Sequence, residues 1–248
     1  MNIKKVISIV LAIIIATSCL TFSLSAEQSQ RDPFDPETFP SLDEQLKTIL
    51  SNPNLSAEKR QEAIQIVNKI KAIKSGYSAL NSRGTLMIHE LDVPFYAQEN
   101  DYYCGPATVK QTYAYLYYRD HGYYYSPSQS AIATNLGTTT AGTEQGKILD
   151  YINNTFNENY VVDWYFDSEE AANLMYTAIS EHNRPPIIHV FDWDYYDTEG
   201  HYMNICAYNT NLSQFMVVDP YYEGHKDPDG RYLVPVSDIS SFCDRMMI

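Results

Sequence analysis

The chain has 248 residues and a formal net charge of −14. At about 150 residues per domain that length allows one main domain and a small appendage, and 44% hydrophobic against 19% charged residues is a folding composition rather than a disordered one. A pI of about 4.7 excludes the basic face that a nucleic-acid partner needs, ten glycines exclude Gly-rich repeats, and four cysteines are too few for a disulfide framework.

The first 26 residues read as an export signal. Lys4 and Lys5 form a basic start, Val6 to Ala16 is almost unbroken apolar sequence, and Ser25-Ala26 offers a small-residue cleavage site. An uncleaved anchor is the alternative, but the apolar run falls short of the about 20 residues a spanning helix needs. Lipid modification of Cys19 is a second alternative, weakened by the missing aliphatic residue at Ala16. Loss of Lys4 and Lys5 deepens the charge of the mature chain by two, to −16. No later stretch is long and apolar enough to cross a membrane, so no membrane contact is expected after cleavage, and a secreted or cell-surface location follows. Residues 27–40, with Pro33, Pro36 and Pro40 among acids, form an acidic linker.

Residues 41–85 form a helical extension. Ser41 can cap a helix carrying Leu42, Leu46, Ile49 and Leu50. Asn52-Pro53-Asn54 breaks it, Ser56 caps a second helix with Ala63, Ile64, Val67, Ile70 and Ile73, and Gly76 ends it. Two short helices cannot bury their stripes alone. They either dock structurally on the main domain or act as a pro-segment over a cleft.

Residues 86–248 hold 21 of the 22 tyrosines and read as one α+β domain. Strands are predicted at 86–96, 160–166, 186–193, 201–208, 214–219 and 231–236, and helices at 104–119, 126–135, 143–155 and 168–182. Helices dominate early and strands late, which suggests a helical half facing an antiparallel sheet half.

Cys104 opens the helix that follows Tyr102-Tyr103. Unpaired N–H groups and the helix dipole at that position favour the thiolate, which is the nucleophilic form. Pro106 suits the first turn. Taken alone, such a cysteine is also a small core residue. Gln98, six residues earlier, can reach back beside the sulfur and donate to an oxyanion together with the Cys104 N–H, although a lone glutamine is more often a solvated loop residue. Of six histidines, His201 is the best-placed base. It opens a strand in which alternation puts His201, Met203, Ile205 and Ala207 on one face. Folding a hairpin about residues 210–211 brings Asp219 beside it, where a carboxylate would hold the imidazole's tautomer and stabilise its cation. The bland alternatives are a structural histidine and an ordinary Asp-Pro turn.

Leu91-Asp92-Val93-Pro94, Gln98, Cys104-Gly105-Pro106-Ala107, Gly200-His201-Tyr202 and Asp219-Pro220 together resemble the bacteriocin-processing (double-glycine) peptidase-like family of the papain-like cysteine peptidase superfamily. Gly142-Thr143 before a helix and Pro185-Pro186-Ile187-Ile188 opening a strand fit as well, and the likeness runs from about residue 86 to 240. The resemblance implies a papain-like α+β fold and a cysteine peptidase. Cys104 is then the nucleophile, His201 the base and acid, Asp219 the orienting carboxylate and Gln98 the oxyanion donor. It calls for no cofactor and a peptide or protein substrate. The sequence shows no transmembrane or ATPase segment, so specificity for a double-glycine site does not carry over. Two other classes stay open: a peptidoglycan-directed amidase, endopeptidase or acyltransferase on the same fold, and a binding module without catalysis.

Other features carry less weight. His89, His121, His182, His189 and His225 read as surface or core. The acidic stretch from Asp192 to Glu199 reads as a loop, at the cleft rim or simply solvated; it lacks the glycine and final glutamate of a calcium loop. Cys206 points away from the His201 face and could pair with Cys243 in an exported protein. The tyrosines either line a wall for peptide or sugar or serve as amphipathic padding. The sequence sets no oligomeric state.

Overall fold

The computed structural model describes residues 39–75, 88–164, 167–193, 198, 200–209, 213–221 and 229–248. The export signal, Cys19, most of the linker, the end of the extension, His225 and the centre of the acidic stretch lie outside the described residues. Pro40–Ile248 form one unit.

Ser41 and Ser56 each cap a helix through the side-chain oxygen, starting α1 (Leu42–Ser51) and α2 (Ala57–Lys74). α2 buries Ala63, Ile66, Val67, Ile70 and Ile73. Ile66 therefore takes a place that periodicity assigned to Ile64, which is only half-buried. Each buried branched side chain contributes about 1.5–3 kcal/mol, and the stripe faces Leu174 and Ala178 of a later helix.

β1 (Ile88–Glu90) is short. Leu91 N–H still donates to Cys206 C=O, but Val93 N–H turns back to Leu91 C=O, and Pro94 has no N–H to continue a ladder. The strand predicted to reach residue 96 therefore ends early. Next come α3 (Cys104–His121), α4 (Gln129–Leu136) and α5 (Gln145–Phe156). Gly122 and Gly137 close α3 and α4 in the left-handed conformation. β2 (Val162–Trp164) precedes α6 (Ser168–Ser180), which the Asp167–Glu170 capping box starts. The remaining elements are β3 (Ile187–Val190), β4 (His201–Asn209), β5 (Gln214–Val218), β6 (Arg231–Pro235), α7 (Val236–Phe242) and β7 (Cys243–Met247).

Among the described residues the strands form one seven-stranded sheet in the order β2-β7-β3-β4-β5-β6, with β1 also on β4 and every pairing antiparallel. α3 packs on β4 from the helical half, so the molecule is the α+β arrangement expected. Two elements have no forecast. β7 carries Asp244 and Arg245 into the sheet interior between β2 and β3, which hides its strand pattern, and α7 is a serine-rich helix of seven residues. β4 also departs from strict alternation. Its pairing with β5 slips between Ile205 and Ala207, which leaves Cys206 as one extra residue on β4. Asn204 bonds to α3, whereas Tyr208 meets Tyr176 of α6 edge-on. Ala207 therefore does not share the His201 face, as unbroken alternation had implied.

The extension is tied to the free side of β2. Gln45, 6% exposed, donates from Nε2 to Val162 C=O at 3.0 Å and accepts from Val162 N–H at 2.8 Å. It thereby pairs a sheet edge that would otherwise be open. Glu158, nearly buried, receives Lys59 of α2 and Arg119 of α3. That places α2 beside the C-terminal end of α3, roughly 22 Å along the helix from Cys104. The described part of the extension is thus docked away from the helix start rather than laid across it. Replacing Gln45 with Ala should lower stability by about 1–3 kcal/mol for the orphaned Val162 groups while leaving kcat/KM unchanged; denaturant titration and steady-state kinetics check both.

Candidate active site

Cys104 is the first residue of α3, and Tyr103 provides no side-chain cap there. The N–H groups of the first turn therefore remain available beside the sulfur. Gly105 follows because nothing larger fits: a Cβ there would lie 2.5 Å from Thr143 Oγ1 and 2.7 Å from Thr143 Cβ. This close approach presses the start of α3 against the loop before α5.

One face of α3 is bonded to β4. The backbone amides of Tyr202 and Gly105 donate to the Cys104 sulfur, and Thr108 Oγ1 donates to Tyr202 C=O at 2.8 Å. Thr112 Oγ1 donates to Asn204 Oδ1 at 2.8 Å, while Asn204 Nδ2 donates to Thr108 C=O at 3.1 Å and Gln111 Oε1 at 3.0 Å. Residues 104, 108, 111 and 112 share a helix face by their spacing. Thr108, Gln111, Thr112 and Asn204 are all fully buried, and a buried polar network whose members are satisfied holds its parts in one arrangement.

That seam delivers His201, the first residue of β4, to Cys104. Cys104, His201 and Asp219 are 8%, 4% and 0% exposed. The side chains of Cys104 and His201 are hydrogen-bonded, and His201 Nε2 meets Asp219 Oδ1 at 2.7 Å. With Nε2 occupied, Nδ1 is the nitrogen left for the sulfur. Asp219 Oδ1 also accepts from Tyr221 N–H at 2.8 Å, and Oδ2 accepts from the Tyr232 hydroxyl at 2.8 Å. The Asp219 N–H donates to Gly230 C=O at 2.9 Å. Gly230 has φ +63°, and a Cβ there would lie 2.3 Å from the Phe95 ring and 2.6 Å from Asp219 O. Only glycine lets the β6 turn approach Asp219 this closely.

The electrostatics favour an ion pair. Burial alone would raise the Cys104 pKa, but the hydrogen bond and charge of His201, with the two backbone amides, outweigh it and bring the thiol below its usual value. Burial pulls the His201 pKa down, whereas Asp219 and Cys104 together push it up to about 10. Both shifts are stability statements for the pair. The thiolate–imidazolium form exists above the depressed thiol pKa and is lost as pH rises through about 10.

Gln98 sits beside this group by its backbone. Its N–H donates to Pro220 C=O at 2.8 Å, next to Asp219, and its Nε2 donates to Asn100 C=O at 3.0 Å in the loop leading to Cys104. Tyr232, Trp193, Gly230 and the Thr108–Asn204 seam carry no motif that sequence reading could isolate. His189, read as surface or core, lies one strand from His201. Burial pushes its pKa down to about 4 against the hydrogen bond it makes to the Asp244 carboxylate, so it remains neutral beside the imidazolium. His182 pairs with Glu62, His121 stacks on Tyr117, and His89 meets Tyr176 edge-on.

Cys104, Cys206 and Cys243 are all free. Cys243 aligns with Val190, which aligns with His201, whereas Cys206 is five residues further along β4. That offset is about 16 Å along the strand, beyond the roughly 7 Å a disulfide spans; the pairing left open by the sequence is not made. Among the described residues no group of His, Cys, Asp or Glu could hold a metal ion. The tyrosines divide: Tyr123, Tyr124 and Tyr125 are exposed at the far end of α3, whereas the Tyr221 ring lies 6.3 Å from that of His201.

The sequence model of the Peptidase_C39 like family matches residues 90–233. The chain belongs to this family and is a cysteine peptidase. No curated protein matches the sequence. Several solved structures are similar. One is a double-glycine-motif protease from an AMS/PCAT transporter in complex with its leader peptide, at 14% identity and a TM-score of 0.43 over 64% of this chain and 91% of that one. Another is the peptidase domain of Streptococcus ComA, a bifunctional ABC transporter in a quorum-sensing pathway, at 15% identity and a TM-score of 0.42 over 63% and 96%. UfSP from C. elegans matches at 14% identity and 0.42 over 68% of this chain and 35% of its own.

Iodoacetamide should alkylate Cys104 at pH below the about 8.5 of a free thiol, with the labelling rate rising through the depressed pKa. Labelling that rises only near that free-thiol value would contradict the ion pair.

Proposed function

We propose that the protein is an exported thiol hydrolase that cleaves peptide bonds through Cys104, His201 and Asp219, with Gln98 as oxyanion donor. The observation that carries the reading is the relay from the Cys104 sulfur to His201 and from His201 Nε2 to Asp219 Oδ1 at 2.7 Å. The residues have the roles that nucleophile, base and orienting carboxylate require.

In this reading the His201 Nδ1 holds the thiol proton and the sulfur attacks the scissile carbonyl. The carbonyl electron pair moves to oxygen, where the Cys104 N–H and Gln98 Nε2 donate. Nε2 carries two hydrogens, and the bond to Asn100 C=O engages one of them. Collapse of the intermediate expels the amine, protonated by His201, and leaves a thioester. Water then gives a proton to His201 and attacks the thioester, and collapse breaks the C–S bond, releasing the carboxylic acid and restoring the thiolate–imidazolium pair. Asp219 keeps its charge throughout and holds the imidazolium in place.

Export rests on residues 1–26, whose basic start, apolar run and small-residue end fit a cleaved signal. Among the described residues no helix is long and apolar enough to cross a membrane. The substrate class is peptide or protein.

Cys104→Ala should abolish hydrolysis of a casein or peptide library without changing the circular-dichroism spectrum; a variant that cleaves as fast as the parent would overturn the assignment. Asp219→Asn should lower kcat by about 10²–10⁴-fold by removing the carboxylate charge that steadies the imidazolium, with little change in KM. The kcat/KM profile should fall on the alkaline side near pH 10, where His201 loses its proton.

A further inference from the structure

We propose that Tyr232 is a positioning residue for the Asp219–His201 pair, and that Trp193 acts through it. The inference rests on the triad reading above and adds a third layer to it.

Asp219 is fully buried, so the direction of its carboxylate is set by donors rather than by water. Both the His201 bond and the Tyr221 N–H bond fall on Oδ1, at 2.7 and 2.8 Å. Rotation about the Cβ–Cγ bond moves both oxygens, and that torsion of aspartate has a broad energy profile, so donors on the two oxygens together set the carboxylate plane. The Tyr232 hydroxyl meets the other oxygen, Oδ2, at 2.8 Å, and fixes the plane. With Oδ2 held, Oδ1 stays on the line of His201 Nε2.

The hydroxyl is itself directed. A tyrosine O–H has one hydrogen and accepts through its lone pairs, and an indole N–H can only donate. Trp193 Nε1 lies 3.0 Å from Tyr232 O, so it takes a lone pair and the single tyrosine hydrogen goes to Asp219. Trp193 is 2% exposed and meets Phe242 edge-on at 5.9 Å, which makes it a fixed donor. Tyr232 is placed by β6, where it pairs with Val217 of β5, two residues before Asp219. A chain of directed bonds thus runs from the indole through the phenol and carboxylate to the imidazole, and each bond polarises the next.

Among the described residues, the groups facing His201 include Cys104 from α3, Asp219 from the end of β5, His189 from β3 and the Tyr221 ring. Loss of the phenol leaves the other three in place and lets Asp219 swing, which weakens its hold on the imidazolium. Tyr232→Phe should therefore reduce kcat about tenfold, a factor that one hydrogen bond accounts for, with KM changed less than twofold. It should also move the alkaline limb of the pH profile to lower pH. Trp193→Phe should shift the limb the same way by less, and the double variant should match Tyr232→Phe alone, because the indole acts only through the phenol. A lowered Tm with kcat and the limb unmoved would show a purely structural tyrosine and overturn the proposal; additive limb shifts would remove Trp193 from it. If Tyr232→Phe does not fold, Trp193→Phe supplies the limb test, and an unmoved limb there counts against the proposal. Asp219→Asn measured alongside separates the two claims. If it keeps the parent's profile, the triad reading fails; if it loses activity while Tyr232→Phe does not, only this inference fails.

Discussion

The backbone of Tyr202 is held by one face of one helix. Its N–H points at the Cys104 sulfur and its C=O takes the Thr108 hydroxyl at 2.8 Å. The neighbouring Asn204 is bonded on both atoms of its amide to the next turns of the same helix. A thiol on a helix and an imidazole on a strand 97 residues away in the chain are therefore registered by hydrogen bonds in a buried seam. An apolar interface would tolerate sliding at small cost. A polar one does not, because each shift orphans several buried groups. The remaining geometry follows from this: Gly105 lets α3 approach Thr143, and the β4–β5 hairpin brings the carboxylate to the far side of the imidazole.

The charge distribution depends on the same contact. Burial opposes both ionised partners, and it is the largest single influence on each. The thiol pKa falls and the imidazole pKa rises because each group hydrogen-bonds the other, and because Asp219 is held by donors on both oxygens. His189, one strand over and stripped of water, remains uncharged, which spares the imidazolium a like-charged neighbour. The extension contributes from a distance. Through Gln45 and the Glu158 ion pairs it closes the β2 edge and braces the C-terminal end of the helix whose first residue is Cys104.

Much of this was legible residue by residue. Cys104 before a helical run, His201 at a strand mouth and Asp219 before a proline each had a local signal, and the hairpin between the last two follows from strand-turn-strand chemistry. What could not be read has a common physical character. β7 is an interior strand with Asp244 and Arg245 in it, so its burial contradicts its composition, and tertiary partners such as His189, Gln145 and the Trp164 ring make sense of it. The bulge at Cys206 is set by pairing with β5, not by the β4 sequence. Tyr232 and Trp193 are two aromatic residues among many, and their roles come from which atom each hydrogen bond reaches. Gly230 reads as a turn residue; that a ring and a carbonyl lie where its side chain would be is a property of the folded chain.

The central claim is that the Cys104 sulfur holds His201 as a cation, and nitrogen-15 NMR of the labelled imidazole reports that charge directly. In the parent protein the His201 ring should carry both N–H protons through neutral pH and lose one only toward about pH 10; in Cys104→Ala that loss should move to lower pH. An imidazole that titrates near the ordinary histidine value of about 6.5 with the thiol present would contradict the account.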